Sequence, residues 1–327
     1  MLQFFRSNQL YAGLLLIFYA LFLHLPAWWQ ATGSINGVDQ SAGVFGQWLN
    51  KLLLASPSLN ILVPVLILYI TGIVANRLAS SERLSRKITQ FPGLFIILIG
   101  SLYPAVMGVH STQIANLFLL ISIIASFQLY QSSKTAIPAF NAGFWLGIAS
   151  LFNATYPVFL LLLFVAAASL NTLSLKMIFR ILAGFICPLW LVGSGYFLSD
   201  QYAYFIEAHA LKVQLPAFQI EYWWNIAGIS LLSGILGFVI FKQDSNTKLL
   251  NIEGRKKINI LYWWLFITNL LLLVVGPVDS TFAQVLAIPA GILLSLPFSR
   301  SGRAAGEAGH LLIFSLALIF SLYPLLF

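Results

Sequence analysis

Long apolar stretches separated by short polar segments recur along the whole chain. A helix that crosses a lipid bilayer needs about 20 predominantly apolar residues, and somewhat fewer where snorkelling side chains flank its ends. About eleven stretches meet this requirement, and no segment between them is long enough for a soluble domain. The pattern predicts an all-α fold, a polytopic transmembrane helix bundle in which residues 1–327 form a single integral-membrane domain. The predicted spans are 11–29, 59–76, 91–109, 113–130, 138–152, 155–172, 181–198, 223–241, 260–276, 282–298 and 309–327.

Composition strengthens the membrane prediction. Only 8% of the residues are charged and 60% are hydrophobic, whereas a soluble domain carries about 25% charged residues to wet its surface. The formal net charge of +8 requires no nucleic-acid partner, because cytoplasmic loops of membrane proteins are enriched in Lys and Arg. We expect a multi-pass protein of the cell inner (plasma) membrane whose main partner is the lipid bilayer.

The distribution of Lys and Arg determines the predicted orientation. With the N-terminus inside, 15 of the 17 cations fall in inner loops, and only Lys51 and Lys212 fall outside. The nine acids show no such bias, with four inside and five outside, as the positive-inside rule expects. The C-terminus is then outside. Attraction to anionic lipid headgroups explains the clustered cations of the inner loops 77–87 and 242–257 without a specific partner.

Residues 138–172 could form one overlong helix or two shorter crossings. A single crossing would reverse every later loop and leave 7 cations inside against 10 outside, which removes the asymmetry. Asn153, Thr155 and Pro157 also supply a break in the helical pattern between Phe152 and Tyr156. We therefore predict two crossings or a re-entrant pair in this region.

Two outer segments have the residue spacing of an amphipathic helix. The first, 42–54, places Gln47, Asn50 and Lys51 opposite an apolar face, and the second, 200–213, shows a weaker pattern of the same kind. Such helices lie in the membrane interface, so we predict interfacial helices on the outer leaflet. Their apolar faces consist of Phe45, Trp48, Leu49, Leu52 and Leu53 in the first segment and of Tyr202, Phe205, Ile206 and His209 in the second.

No Asp, Glu, Lys or Arg lies in the middle of a predicted span. Ion-coupled transporters usually hold such a group at mid-membrane depth, so the sequence argues against a carrier of that kind. Gly143 and Gly147 form a small-x-x-x-small motif, which predicts close helix packing. Uncharged polar side chains in spans are expected to form interhelical hydrogen bonds. Those in or near the predicted spans are Asn116, Asn141, Asn153, Asn269 and Gln284.

The candidate chemistry lies on the outer face. Asp39 and Asp279 are the candidate catalytic residues, because a carboxylate there could act as a general base or hold a divalent metal for a phosphate-linked substrate. The alternative is that these acids simply populate a water-exposed side. Lys51, His110 and Lys212 are the candidate substrate-binding residues. The four histidines show no metal-ligand spacing and the chain has a single cysteine, so we predict no metal site and name no cofactor.

Three stretches of the sequence resemble a known family. The first is Asn141–Phe152 leading into Tyr156-Pro157, and the second is Arg180 with Gly184 and Pro188. The third is Gly276–Thr281 followed by Pro289. In these stretches the chain is similar to a family of uncharacterised polytopic inner-membrane proteins of Bacteroidota. The resemblance extends over most of the length, although its motifs are apolar. It implies a single membrane domain with many spans and brings no activity.

A second, more distant likeness is one of layout. Residues 29–58 follow a first helix with its N-terminus inside, contain an amphipathic segment and hold one acid, Asp39. This order resembles the first outer loop of integral-membrane glycosyltransferases that use lipid-phosphate sugars. The likeness implies that Asp39 is a general base on the acceptor, and that Lys51 and Lys212 are the outer cations available to the lipid phosphate. The chain departs from those enzymes in lacking a paired acid near Asp39 and a large C-terminal outer domain.

Three functions of different classes remain open from the sequence. The first is an envelope-biogenesis transferase that acts on a lipid-linked donor at the outer face. The second is a non-catalytic scaffold or assembly subunit, whose partner would be another membrane protein. The third is a lipid or small-solute permease, which the lack of mid-membrane charge disfavours.

Overall fold

The computed structural model describes residues 2–6, 9–30, 41–54, 56–85, 87–102, 111–130, 135–210, 233–243, 247–248, 250–274 and 280–326. Within these residues the fold is all-α, as predicted, and the backbone forms no strand; one isolated antiparallel bridge pairs Ala42 with Asn153. The helices are α1 (Leu2–Phe5), α2 (Leu10–Gln30), α3 (Val44–Leu54), α4 (Pro57–Ser81), α5 (Phe91–Gly100), α6 (Ser111–Phe127), α7 (Ala136–Phe152), α8 (Leu160–Ser169), α9 (Leu175–Leu198), α10 (Tyr202–His209), α11 (Ile252–Val274), α12 (Ser280–Arg300) and α13 (Arg303–Leu326).

Two of the described helices, at Leu62–Ser81 and Leu175–Leu198, are long and apolar enough to cross a membrane. Six shorter apolar helices accompany them. The last helices start before the predicted spans: α11 begins at Ile252 and α13 at Arg303, so their charged first turns are helical too. Residues 233–241, within the predicted span 223–241, are helical as well.

The predicted break after Phe152 is confirmed. Helix α7 ends at that residue, and Asn153 has an extended backbone with φ −138° and ψ 119°. The chain then makes a short 3-10 turn at Tyr156–Phe159 before α8 begins. The predicted second span, 155–172, is therefore a turn followed by a helix of 10 residues rather than one continuous helix.

Helices α7 and α9 pack with their backbones in contact, which confirms the predicted role of the Gly143–Gly147 motif. A Cβ atom on Gly143 would come 2.0 Å from the carbonyl oxygen of Ile181, and one on Gly147 would come 2.4 Å from that of Phe185. Gly143 meets Ile181, and Gly147, one turn further along α7, meets Phe185, one turn further along α9. The two helices therefore run parallel. The intervening residues 153–174 must therefore return the chain to the end where α7 began.

Helix α5 lies at the centre of the bundle, and all ten of its residues are buried. On one side the Asn76 amide nitrogen donates to Gln90 Oε1 at 2.5 Å, and the Gly93 N–H donates to Asn76 Oδ1 at 2.7 Å. On the other side a Cβ atom on Gly291 of α12 would lie 2.7 Å from the backbone nitrogen of Ile96. These contacts hold α5 between α4 and α12.

The bundle has two opposite ends. Helices α6, α7 and α12 run from one end to the other, so each has one terminus at either end. We call these ends the Asn153 end and the Lys257 end. Contacts between distant segments define the first through Ser41, Thr112, Asn153 and Gln284. They define the second through Arg6 with Ser301, Thr135 with Arg180, and Glu82 with Lys257.

Candidate functional site

Uncharged polar side chains at the Asn153 end form one hydrogen-bonded cluster. The Asn153 amide nitrogen donates to the hydroxyl oxygens of Ser41 at 3.0 Å and Thr112 at 2.8 Å. Its amide oxygen accepts from the Thr155 backbone N–H at 3.0 Å and from the Thr155 hydroxyl at 2.8 Å. All four hydrogen-bonding positions of this amide are therefore used, and Asn153 fastens the segment before α3 to α6 and α7.

The cluster continues from α6 to α12 through a buried tyrosine. The Tyr156 hydroxyl, whose residue is 1% exposed, lies 2.6 Å from Asn116 Oδ1 and 3.2 Å from the Thr112 carbonyl oxygen. The amide nitrogen of Asn116 donates to the backbone carbonyl of Gln284 at 2.9 Å. The turn after α7 and the first turns of α6 and α12 are thus joined by hydrogen bonds rather than by apolar packing alone.

Two glutamines of this end differ from their neighbours. Among the described residues, Gln113 Oε1 and both amide atoms of Gln284 are buried without a hydrogen-bond partner. The two residues are only 5% and 4% exposed. Because buried polar atoms are almost always hydrogen-bonded, and an unmade bond costs about 1–3 kcal/mol, these two side chains are the members of the cluster whose hydrogen-bonding capacity is unused within the described residues.

Helix α3 is fastened to the same end by two glycines. The Gly43 N–H donates to the Phe152 carbonyl oxygen at 2.9 Å. A Cβ atom on Gly46 would come 2.5 Å from that oxygen and 2.5 Å from the Ser111 Cβ. The chain can approach this closely only because glycine has no side chain. Helix α3 therefore rests on the C-terminal end of α7 and the first residue of α6.

The two predicted outer helices are present as α3 and α10, and they contact each other. The Tyr204 hydroxyl of α10 donates to Gln47 Oε1 of α3, and Phe205 packs in a small apolar cluster with Val44. Trp48 is 62% exposed. Leu52, Tyr202 and Ile206 of the predicted apolar faces are exposed as well, and the predicted position in the membrane interface stays a prediction.

His209 is the last residue of α10. Its ring centroid lies 4.5 Å from that of Phe205, and its Nδ1 lies 3.0 Å from the Phe205 carbonyl oxygen. Burial lowers the pKa of His209 below its ordinary value, and contacts with the backbone of Phe205 and Ser150 oppose that shift. The neutral imidazole is therefore the form that fits between α10 and the end of α7.

Four of the five predicted site residues lie outside the described residues, and they are Asp39, His110, Lys212 and Asp279. The fifth, Lys51, is exposed in the last turn of α3. In the part of the chain that the structure describes, no group of three His, Cys, Asp or Glu residues could hold a metal ion. The described site is therefore a neutral cluster of amides and hydroxyls.

The prediction of interhelical hydrogen bonds is correct for Asn116 and Asn153 and wrong for others of the set. The Asn269 amide donates to a carbonyl of its own helix, and Asn141 is exposed. The side chain of Gln284 is unpartnered, although its backbone carbonyl accepts from α6. Sequence reasoning missed Thr112, Gln113 and Tyr156. The only available signal was the run of polar residues that opens α6, Ser111-Thr112-Gln113.

The Lys257 end holds a charged cluster that sequence reasoning also missed. Lys257 is 2% exposed, and its Nζ contacts the carboxylates of Glu82 and Glu253. The rings of Phe127 and Tyr130 lie 5.8 and 5.7 Å from the same Nζ. The attribution of inner-loop cations to lipid headgroups is therefore wrong for this lysine, which is buried in an ion-paired site.

No family model, no curated protein and no solved structure matches the chain. The two resemblances, to the Bacteroidota family and to the lipid-dependent glycosyltransferases, therefore stay predictions.

Proposed function

We propose that the chain is a multi-pass inner-membrane protein with about eleven crossings, an inner N-terminus and an outer C-terminus. The Lys257 end then faces the cytoplasm and the Asn153 end faces outward. Two observations support this orientation. The parallel packing of α7 and α9 through Gly143 and Ile181 is what two crossings between residues 138 and 172 require. The Lys257 end also contains Arg6 and Arg180, in agreement with the positive-inside rule.

We further propose that the protein is a transferase that uses a lipid-linked donor at its outer face, with Asp39 as the general base. The supporting observation is the meeting of three chain segments at one cluster. Ser41 contacts Asn153, and Asn116 near the start of α6 contacts Gln284 near the start of α12. These segments follow directly on Asp39, His110 and Asp279 in the sequence.

Two of the segments that meet at this cluster are directly preceded in the chain by the candidate catalytic residues. Asp39 precedes Ser41 by two residues, and Asp279 immediately precedes Ser280, the first residue of α12. Both acids are therefore close in sequence to described residues of the Asn153 end. A carboxylate in a segment of this kind suits proton abstraction from a polar substrate.

The proposed reaction forms one bond and breaks another. The oxygen of an acceptor hydroxyl bonds to the anomeric carbon of the donor sugar, while the bond between that carbon and the phosphate oxygen breaks. The proton of the hydroxyl passes to the Asp39 carboxylate, and the prenyl phosphate leaves with the bonding electron pair. Lys51, Lys212 and His110 are the residues that we assign to the phosphate, and Asp279 is the second candidate catalytic carboxylate.

Substitution of single carboxylates tests the proposal. Asp39→Asn removes the base while keeping the shape of the side chain, and we expect a loss of transfer of at least about a hundredfold, as is typical for general-base catalysis. Asp279→Asn is the second variant. Asp200→Asn is the matched control, because Asp200 is an exposed outer acid with φ 56°, a conformation that asparagine adopts equally well. Full complementation of a deletion strain by Asp39→Asn at unchanged abundance would refute the base.

A non-catalytic assembly subunit is the second candidate, and the saturated Asn153 amide favours it. All four hydrogen bonds of that side chain are made within the protein, which is what a purely structural cluster requires. Co-purification with another membrane protein at constant stoichiometry, together with full activity of Asp39→Asn, would establish this alternative. Substrate accumulation across proteoliposomes would instead establish a permease.

A further inference from the structure

We infer that Gln113 and Gln284 form a recognition site for an uncharged, hydroxyl-rich group, which makes a neutral sugar the transferred group of the donor. This inference deepens the proposed transferase and rests on it. It assigns the choice of sugar to two residues that are distinct from the proposed base. The observation that carries it is the presence of unpartnered amides in a cluster whose other amides are hydrogen-bonded.

The two glutamines lie on facing helices near the same contact. Gln113 precedes Asn116 by three residues on α6, so both side chains lie on one face of that helix. Asn116 in turn donates to the backbone carbonyl of Gln284 at 2.9 Å. Gln113 and Gln284 are therefore each within about one helical turn of the hydrogen bond that joins α6 to α12.

The unpartnered atoms supply both kinds of hydrogen-bonding group. Gln284 offers a donor nitrogen and an acceptor oxygen, and Gln113 offers an acceptor oxygen. A sugar hydroxyl is at once a donor and an acceptor, so a pair of neighbouring hydroxyls complements this set. Asn153 provides the contrast, because its four hydrogen bonds are all made within the protein and leave it no capacity for a ligand.

The charge of the surroundings selects a neutral group. Within the described residues, the side chains of the cluster are hydroxyls and amides, with no acid or base among them. Lys51, the described cation of the outer segments, is exposed on α3. A charged group placed against these neutral buried amides would lose its hydration without gaining an opposite charge from them. The carboxylates of Asp39 and Asp279 are assigned to catalysis and not to the contact with the sugar. A hexose or an N-acetylhexosamine fits this environment, and an amino sugar with a free ammonium does not.

Binding measurements on the full chain in lipid nanodiscs test the inference. The probes are a short-chain prenyl phosphate and the same lipid carrying glucose, mannose, N-acetylglucosamine or glucosamine. We expect at least one neutral sugar lipid to bind about tenfold more tightly than the bare prenyl phosphate, and N-acetylglucosamine to be preferred over glucosamine. Because one hydrogen bond contributes a factor of about three to ten, Gln113→Leu and Gln284→Met should each weaken sugar-lipid binding by that factor and leave prenyl phosphate binding unchanged.

A matched control and a stability readout separate recognition from structure. Asn269→Leu removes an amide that bonds only to its own helix, and it should leave the sugar preference intact. Replacement of unpartnered glutamines by apolar side chains should keep or raise the Tm, since no hydrogen bond within the protein is lost. A changed Tm with an unchanged sugar preference in both glutamine variants would overturn the inference.

The outcome also distinguishes this site from the proposed catalysis. If Asp39→Asn still transfers sugar but Gln113→Leu and Gln284→Met lose the sugar preference, Asp39 is not the general base and the recognition site is supported. If Asp39→Asn abolishes transfer but the glutamine variants keep the wild-type sugar preference, the two glutamines are not the recognition site and Asp39 is supported as the general base. A wild-type protein that binds no sugar lipid more tightly than prenyl phosphate contradicts the recognition site.

Discussion

The Nζ of Lys257 on α11 lies 2.5 Å from Oε2 of Glu82 at the end of α4, 175 residues earlier in the chain. Glu253, one turn before Lys257 on the same helix, contacts the same ammonium group. The carboxylate side chains are 18% and 38% exposed, whereas the lysine side chain is 3% exposed. A buried cation between two partly exposed acids therefore links α4 to α11 at the Lys257 end.

Replacement of Lys257 by methionine should destabilise the protein strongly. The substitution leaves the Glu82 and Glu253 carboxylates facing each other without the cation. Because these carboxylates are partly exposed, we expect a cost of about 1–3 kcal/mol, which is less than for a fully buried pair. Lys256→Met is the control, because that side chain is half-exposed and lies 5.7 Å from the Tyr130 ring. We expect it to cost less than about 1 kcal/mol. Denaturant unfolding in mixed micelles measures both, and equal losses for the two variants would contradict the buried pair.

Replacement of Gly143 by alanine should separate α7 from α9. The new Cβ would lie 2.0 Å from the carbonyl oxygen of Ile181, so the helices must move apart, and such overpacking costs about 1–3 kcal/mol. Gly195→Ala on α9 is the matched control, because a Cβ there meets nothing within 4 Å. Alanine at that position should keep or raise stability, by up to about 1 kcal/mol. A Gly143→Ala protein as stable as the Gly195→Ala protein would exclude the close packing.

Acidification should release α10 from α3 and the end of α7. Burial lowers the pKa of His209 in the folded protein, so below the ordinary value of about 6.5 the unfolded state binds more protons than the folded state. The stability contributed by neutral His209 is thus complete above that pH and is lost as the pH falls towards the lowered pKa. Limited proteolysis after α10, measured from pH 7.5 to pH 5, should accelerate in the wild-type protein.

Two variants identify the group responsible for this pH dependence. His209→Phe keeps the ring contact with Phe205 and removes the titration, so its proteolysis rate should be independent of pH over that range. Glu207→Gln removes an exposed charge of the same helix and should retain the wild-type profile. A pH dependence that persists in His209→Phe would show that another group causes the release.

The positions of the helices follow from hydropathy alone, and their partners do not. The apolar stretches predicted where most helices lie, and Asn153 predicted the break after α7, because both are local properties of the sequence. The pairing of Asn153 with Ser41 and Thr112 joins residues that are 112 and 41 positions apart. No periodicity within a helix specifies which neighbour it meets, so this cluster could not be predicted.

The sequence prediction chose charged residues as the candidate site, whereas the site in the described part of the chain consists of neutral amides and hydroxyls. Sequence reasoning ranked Asp39 and Asp279 first because carboxylates carry familiar chemistry, and it assigned Gln284 to helix packing. The unpartnered state of that side chain depends on the geometry of its surroundings. Lys257 was similarly counted with the lipid-facing cations, because a sequence gives the side of the membrane on which a charge lies and not whether it is buried.

Membrane-impermeant maleimide labelling of intact cells tests the proposed topology most directly. In a Cys187→Ala background, which removes the single native cysteine, Lys51→Cys on the exposed side of α3 should react from outside the cell. Lys248→Cys, which replaces an exposed residue at the Lys257 end, should react only after the membrane is permeabilised. Labelling of Lys248→Cys in intact cells with protection of Lys51→Cys would reverse the orientation and remove the outer face to which the chemistry is assigned.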